Sequence, residues 1–479
     1  MFEQFKKGIL YTAMGKYAVV AVQLGVQAVL SRILSPDEYG IVATVNVFLI
    51  FFQLLADIGI GPAIIQNKEL KRSEINSIFG FSLYLSIALG ILFVFLGYPI
   101  SWIYDNAVFI PLSMVLGISV FFYGVLVVPQ SLLLREKNFR MVNFTTVGSA
   151  IVSGIVSIVL ALLGFSYYSI ILGNTAKAMT LFFVFYVKTG TSVKFKLDTA
   201  PLKKIYYFSK NQFLFNFINY FSRNLDNLLI GGTISQSALG YYDKAYTVSL
   251  YPNQVLTSLI TSVIHPIMSD YVDQTEKIKQ VYLRLSNLLA LIGIPLSVFL
   301  FFSSEDVILF LFGNDWYGSV PSLQILALSV WIQMILSSTG GVFQSGNRTD
   351  LLLLSGILST ILNITGIITG ILLGRIEYVA LFLVIAFSLN FIQANYLLMV
   401  KLFHSNLLEF AKVMINPVIL AVMQLVVFYF LPVFPFAPFF NLLIKGSIFL
   451  VIWIIGLFIT GEFKRIKAEL KGNKQLVDK

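Results

Sequence analysis

The 479 residues contain no cysteine, which removes disulfides, thiol nucleophiles and cysteine-ligated metals from consideration. Histidine is nearly as scarce, and His265 and His404 stand far apart with no metal-ligand spacing between them. A phosphate-cradling GxxxxGK[ST] run is absent, since the Gly15-Lys16 pair lacks the rest of it, and no Gly-x-Ser-x-Gly elbow occurs. Charge is thin at 12% of residues, and its acidic share is thinner, with 23 Asp and Glu against 33 Lys and Arg. Every connection between apolar runs is short, which leaves no room for a soluble catalytic domain.

What is present is hydrocarbon-like: 57% of residues are hydrophobic, in runs long enough for an α-helix to cross a bilayer core of about 30 Å. These runs are too long and too uniform for barrel strands, whose signal is a ten-residue alternation. The expected fold class is an all-α polytopic membrane protein. The opening MFEQFKKGILYTAMGKYAVV has the basic start of a signal peptide, but Lys16 interrupts it and the segment continues to Leu34, so it reads as a retained first helix. Fourteen spans are predicted: 8–34, 40–65, 78–98, 109–134, 141–163, 167–187, 205–232, 239–268, 280–302, 318–343, 350–373, 376–400, 408–431 and 439–460.

Charge orients them. With the N-terminus inside, alternate connections hold Lys6 and Lys7, then Lys68, Lys71 and Arg72, then Arg135, Lys137 and Arg140, then Lys188 to Lys204, and so on to a basic tail from Lys464. The opposite connections hold Arg32 and Arg375 and the acidic SSEDVILFLFGND. By the positive-inside rule both termini are cytoplasmic. The net charge of +10 is then a matter of topology and contact with anionic lipids rather than of nucleic acid.

Two short segments match at an offset of 200: LSPDEYG at 34–40 and ISQSALG at 234–240. Each lies between the first and second long helices of a half, which predicts two six-helix lobes, 1–200 and 201–405, an additional helix pair at 406–462 and a tail at 463–479. Parallel repeats of this kind occur in transporters whose substrate site lies between the halves. Asp37 and Glu38 in the first copy raise the alternative of a membrane glycosyltransferase or polymerase with acids in its first outward loop. Local physics gives another role: Ser35 as N-cap, Pro36 at the first helical position and Glu38 closing a capping box. The second copy keeps the serine and glycine and loses both acids, so a helix start explains both copies and catalysis explains one.

The polar residues inside the spans follow the repeat. Gln212, Asn216, Asn219, Arg223 and Asp226 advance by 4, 3, 4 and 3, a single helical stripe. In the first helix Thr12, Lys16, Gln23 and Gln27 form a comparable stripe, and the offset takes them to Gln212, Asn216, Arg223 and Asn227. In the second helix Asn46, Gln53 and Asp57 map to Tyr246, Asn253 and Thr257. Ionisable groups within spans face a bundle interior or water, which predicts a wet central cavity lined by spans 1, 2, 7 and 8. Packing glue between helices is the plainer role for any one amide, and His265 beside Pro266 reads as a packing or capping residue. Lys16, Lys177, Lys210, Arg223, Lys244 and Lys445 outnumber Asp57, Asp226 and Asp243, so the cavity suits an anionic guest. Arg223 can pair with Asp226, and Lys210 and Lys445 lie near enough to helix ends to snorkel.

The stretches LSRILSPDEYGIVATVNVFLIFFQLLADIGIGPAIIQ, PQSLLLREKNFR and NLDNLLIGGTISQSALGYYDKAYTVSLYPNQVLTSLITSVIHPIMS resemble the polysaccharide-transport family of the multidrug/oligosaccharidyl-lipid/polysaccharide (MOP) exporter superfamily, the Wzx-type flippases, in particular exporters of colanic and teichuronic acid. The resemblance implies a bacterial plasma-membrane protein, a transporter and not an enzyme. Its cargo would be an undecaprenyl-diphosphate-linked oligosaccharide, its partners membrane lipids, a polysaccharide polymerase and a chain-length regulator. It implies no cofactor beyond coupling to a proton or sodium gradient, with Asp57, Asp226 and Asp243 as candidates; a facilitator driven by product consumption is the alternative. A diphosphate needs cations, Arg most naturally, and the amides and tyrosines of GYYDKAYTVSLYPNQ suit a sugar. A drug antiporter of the same superfamily would share the architecture but favour an acidic, aromatic cavity.

Overall fold

A computed structural model describes the backbone over residues 2–194, 198–257 and 274–470, and the side chains of those residues except 2–10, 208, 211, 214, 215, 218, 219, 221–223, 256, 257, 469 and 470. Every regular element among them is helical, as hydrocarbon demands: a helix satisfies its own backbone donors and acceptors within one segment. Among the described residues, eleven helices are long and apolar enough to span a membrane, or twelve when one bent pair counts as a single span. The chain is an all-helical polytopic membrane protein. It divides into two compact units, Met1–Asp243 and Lys244–Lys479.

The first unit contains α1 (Phe2–Leu30), α2 (Pro36–Asp57), α3 (Ile60–Gln66), α4 (Arg72–Ile103), α5 (Phe109–Arg135), α6 (Phe139–Leu162), α7 (Tyr168–Thr189), α8 (Ala200–Thr233) and the beginning of α9 (Gln236–Pro252). Lipid offers helices no hydrophobic reason to associate, so small residues set their approach. Gly90 of α4 and Gly117 of α5 face each other's carbonyls, where an added Cβ would stand 2.9 and 2.8 Å away. Gly173 of α7 sits on Ser157 of α6, and Gly15 of α1 on Asn143 of α6. Around these crossings apolar side chains fill in, as where Phe52 and Phe93 meet edge to face at 4.9 Å.

The second unit contains α10 (Thr275–Phe312), α11 (Val320–Ala327), α12 (Val330–Ser345), α13 (Thr349–Leu372), α14 (Ile376–Tyr396), α15 (Leu407–Tyr429), α16 (Pro438–Ile459) and the short α17 (Glu462–Leu470). Gly366 and Gly370, a Gly-x-x-x-Gly pair, bring α13 against the backbone of α14 at Phe382 and Val379. α16 is held to α10 by polar ties: the Trp453 indole N–H donates to the Leu291 carbonyl at 2.8 Å, and Lys445 Nζ lies 2.5 Å from Asp306 Oδ2 and 3.1 Å from the Phe302 carbonyl. Asn441 Nδ2 donates to Asp306 Oδ1 at 2.9 Å.

Several predicted boundaries move. The span expected over 40–65 is broken at Ile58 and Gly59, both at positive φ, so α2 and α3 are separate helices. The span expected over 318–343 bends by 55° between α11 and α12. The acidic stretch read as an outward connection is helical through Phe312, and this places Asp306 inside α10, where it holds Lys445 instead of leaving that lysine to snorkel. At the expected spans 205–232 and 239–268 the structure has α8 and α9, neither of which is among the eleven. α8 is long enough, but its charges and amides keep it too polar, and the described part of α9 ends in a π-turn at Asn253–Thr257.

Removing one partner of a buried ion pair strands the other. Lys445→Met is therefore expected to lower stability by about 3 kcal/mol or more, and the double variant Asp306→Leu/Lys445→Met to recover most of that loss, as read by thermal unfolding in detergent.

Candidate functional site

The repeated turns lie at the starts of α2 and α9, two of the helices that carry the predicted stripes. Ser35 caps α2 in extended conformation, with Glu38 N–H donating to Ser35 Oγ at 3.3 Å and Ser35 N–H donating to Glu38 Oε2 at 2.7 Å. Ser166 donates to the other Glu38 oxygen. Ser235 serves the second copy, accepting from Ala238 N–H at 3.0 Å. The two copies also touch each other. A Cβ on Gly40 would come within 1.8 Å of the Gln236 carbonyl oxygen, and one on Gly240 within 2.0 Å of the Pro36 carbonyl oxygen. Each contact is the other shifted by the repeat offset, the exchange expected of a local two-fold relation. Thr44 Oγ1 donates to Gln236 Oε1 at 2.9 Å and Ser237 Oγ to Asp37 Oδ1 at 3.2 Å across the same seam. Glu38 is thus engaged in shaping a helix start and Asp37 in joining the two copies.

From this seam α2 runs against α8. Phe51 lies 5.5 Å from the Tyr220 ring and 5.9 Å from Phe217, and the Tyr220 hydroxyl donates to the Val47 carbonyl. Asn46 and Gln53 of α2 are half-buried. On α8, Gln212 Nε2 donates to Asn216 Oδ1 at 3.1 Å, so two members of the predicted stripe are joined one turn apart. Asp226 is 3% exposed, accepting from the Tyr242 hydroxyl at 2.9 Å and from Asn227 N–H at 2.9 Å. The side chains of Arg223 and Asn219 lie outside the described residues, as does His265.

On α1, which packs on α6, Lys16 and Gln23 are exposed and Gln27 is half-buried. Thr12 stands within 3.4 Å of Asn143 Nδ2. Lys177 is half-buried on α7. Asp57 has a local duty: its Oδ1 accepts Gly61 N–H at 2.8 Å, satisfying a donor in the first turn of α3 just past the break. In the second unit Lys244 is 2% exposed, with its ammonium 5.4 Å from the Phe312 ring and 5.6 Å from the Trp316 ring, a cation–π setting. Tyr246 is half-buried and Asn253 lies in the π-turn after Pro252; Asp243, the last residue of the first unit, is half-buried.

The structure therefore joins Gln212 with Asn216, and engages Asp226, Asp57 and Lys244 with partners in their own units. Thr44 and Gln236 are contributors without a place in the predicted stripes, and Tyr242, one of the tyrosines of GYYDKAYTVSLYPNQ, is tied to Asp226. Thr44 sits among mostly apolar neighbours without a periodic signal, whereas Gln236 lies inside the repeated motif.

Comparison with known proteins follows the same line. The family model described as a polysaccharide biosynthesis protein matches residues 29–321. The teichuronic acid biosynthesis protein TuaB of Bacillus subtilis is 24% identical over 354 residues, covering 73% of each chain. The lipopolysaccharide biosynthesis protein WzxC of Escherichia coli is 23% identical over 382 residues, 77% of this chain and 75% of that one. Among solved structures, the lipid II flippase MurJ in an inward closed conformation matches with a TM-score of 0.76 at 16% identity, over 94% of this chain and 98% of that one. An inward-facing multidrug resistance MATE transporter of the MOP superfamily matches at 0.62 and 14% identity, over 84% and 98%. These structural likenesses are of fold.

The glycine seam gives a direct test. Gly40→Ala and Gly240→Ala each push a methyl into a backbone carbonyl that cannot rotate away, and each is expected to cost about 1–3 kcal/mol. Because the contacts are reciprocal the two losses should be similar, and thermal unfolding of the two variants side by side checks both size and symmetry.

Proposed function

We propose, from the premise that this chain belongs to the polysaccharide biosynthesis protein family of Wzx-like membrane exporters, that it moves an undecaprenyl-diphosphate-linked oligosaccharide from the cytoplasmic to the outer leaflet of a bacterial plasma membrane. The chain is a transporter, not an enzyme. In this reading the fourteen-span arrangement has both termini in the cytoplasm, and transport proceeds by alternating access through a cationic path lined by the polar stripes of α1, α2, α8 and α9.

The observation that carries the reading is the repeat-matched stripe, Lys16, Gln23 and Gln27 on α1 answering Asn216, Arg223 and Asn227 on α8. Placement of the charges supports the sign. Asp226 is buried against Tyr242, Asp57 is engaged with Gly61 and Lys445 is neutralised by Asp306, while Lys16 stays exposed on its helix. In our scheme Arg223 and Lys16 meet the diphosphate, with Lys177 and Lys244 as further cations. Asn46, Gln53, Asn216, Asn219, Tyr246 and Asn253 meet the sugar, and Asp57, Asp226 and Asp243 are the places where a coupling proton or sodium ion would act. An exporter of organic cations would need acids free to meet its cargo, and the engagement of Asp57 and Asp226 speaks against it.

The test is leaflet-resolved labelling of the lipid-linked oligosaccharide in cells with the wild-type chain, without it, and with Arg223→Ala or Lys16→Ala at matched membrane levels. The intermediate is expected to be trapped on the cytoplasmic side in the deletion and in both variants. Unchanged sidedness on deletion, with no second exporter present, would refute the flippase reading; wild-type export by Arg223→Ala would sink its assigned role.

A further inference from the structure

Between Lys412 and Lys445 the chain carries no charged residue at all, and between Tyr429 and Asn441 it carries no polar side chain: FLPVFPFAPFF. This run is the connection between α15 and α16, where a span ordinarily surfaces into water. Other turns in the molecule are marked by polar residues, as Asp105 and Asn106 mark the one between α4 and α5 and Arg375 and Glu377 the one between α13 and α14. In this turn Phe430, Val433 and Phe436 are 78, 96 and 55% exposed, and Tyr429, Phe439 and Phe440 are exposed beside them.

The patch is continuous with the sides of two membrane-spanning helices. Below it on α15 lie the exposed Val422, Leu425 and Val426, and on α16 Leu443, Leu450 and Val451. No polar boundary separates the turn from those faces. Tyr429 stands at its edge, and the aromatics from Phe430 to Phe440 are all phenylalanines, which lack the polar handle that holds Tyr and Trp at the water side of an interface. The backbone is suited to a place with little water. Pro432, Pro435 and Pro438 have no N–H to leave unpaired. Phe430 N–H and Phe440 N–H donate to the carbonyls of Val426 and Ala437 at 3.3 and 2.9 Å. The Phe434 carbonyl accepts from Asn441 Nδ2 at 3.3 Å, and Asn441 is itself tied to Asp306, the partner of Lys445. The buried polar cluster thus pins the inner edge of the turn to α10, while Phe439 packs at 5.4 Å on Phe310 of the same helix.

We infer that the α15–α16 turn is a lipid-inserted hairpin, its Phe430–Phe440 surface seated in the acyl region just beneath the lipid carbonyls of the nearer leaflet. At that depth the remaining amides of the turn meet lipid ester carbonyls, and the phenylalanines are removed from water. This surface anchors the additional helix pair in one leaflet whatever the cargo is, so it does not rest on the flippase reading.

The absence of cysteine makes the test clean. Val433→Cys and Phe436→Cys are labelled separately in detergent with an environment-sensitive NBD fluorophore, beside Asp105→Cys as a water-exposed reference, and the full-length proteins are reconstituted into phosphatidylcholine–phosphatidylglycerol vesicles. Both turn labels are expected to be quenched several-fold more strongly than the reference by lipid carrying a doxyl group high on its acyl chain, and several-fold more weakly by aqueous iodide present on both sides. Iodide quenching equal to the reference overturns the inference. Protection from both quenchers also overturns it, since a protein surface, a second copy included, would then cover the turn.

Discussion

Hydrocarbon supplies no hydrophobic force between helices, so this structure depends on how closely backbones approach and on where each polar group finds a partner. The reciprocal seam of Gly40 with Gln236 and Gly240 with Pro36 shows the first requirement in its sharpest form, since any side chain there would strike a carbonyl. Gly90 with Gly117, Gly173 with Ser157, and Gly366 and Gly370 against α14 apply the same rule at other crossings. The aromatic and aliphatic side chains then fill the space that these approaches leave.

The second requirement sorts the polar residues. Several with a fixed structural partner are buried: Asp306 with Lys445 and Asn441, Asp226 with Tyr242, Tyr282 with Asn395 at 2.7 Å. Lys16 and Gln23 stand exposed on a helix whose other side is packed. In a solvent that penalises unpaired polarity, the proposed scheme assigns such residues to contact with water or with a polar guest. The repeat extends that argument from one helix to its counterpart.

Much of this was legible in the sequence. The apolar runs located most of the helices, though not the break after Asp57 or the continuation of α10 to Phe312; the Ser35-Pro36-Asp37-Glu38 capping box was readable from spacing alone, and the offset of 200 pointed to the turns that meet. Long-range pairing was not legible. Asp306 and Lys445 are 139 residues apart, and the acidic stretch around Asp306 imitates a connection because the partner of Asp306 comes from another helix. The break after Asp57 was only half legible: Gly59 tolerates its φ of 76°, but Ile58 adopts a left-handed conformation with φ of 40° that its β-branched side chain disfavours. The cation–π setting of Lys244 required knowing that Phe312 and Trp316 come to it.

A polar stripe matched between two helices at the repeat offset, with Lys16 on one and Arg223 on the other, and the engagement of Asp57 and Asp226 lead to the central proposal: the chain itself carries a diphosphate-linked saccharide lipid across the bilayer. The most direct measurement is reconstitution of the purified chain into vesicles containing a fluorescent undecaprenyl-diphosphate oligosaccharide, with the fraction of label reached by a membrane-impermeant reductant followed in time. Label initially shielded in the inner leaflet is expected to become reachable with the wild-type chain and to stay shielded with Arg223→Ala. Equal accessibility in protein-free vesicles and in vesicles bearing the folded wild-type chain, with and without an imposed proton or sodium gradient, would contradict it.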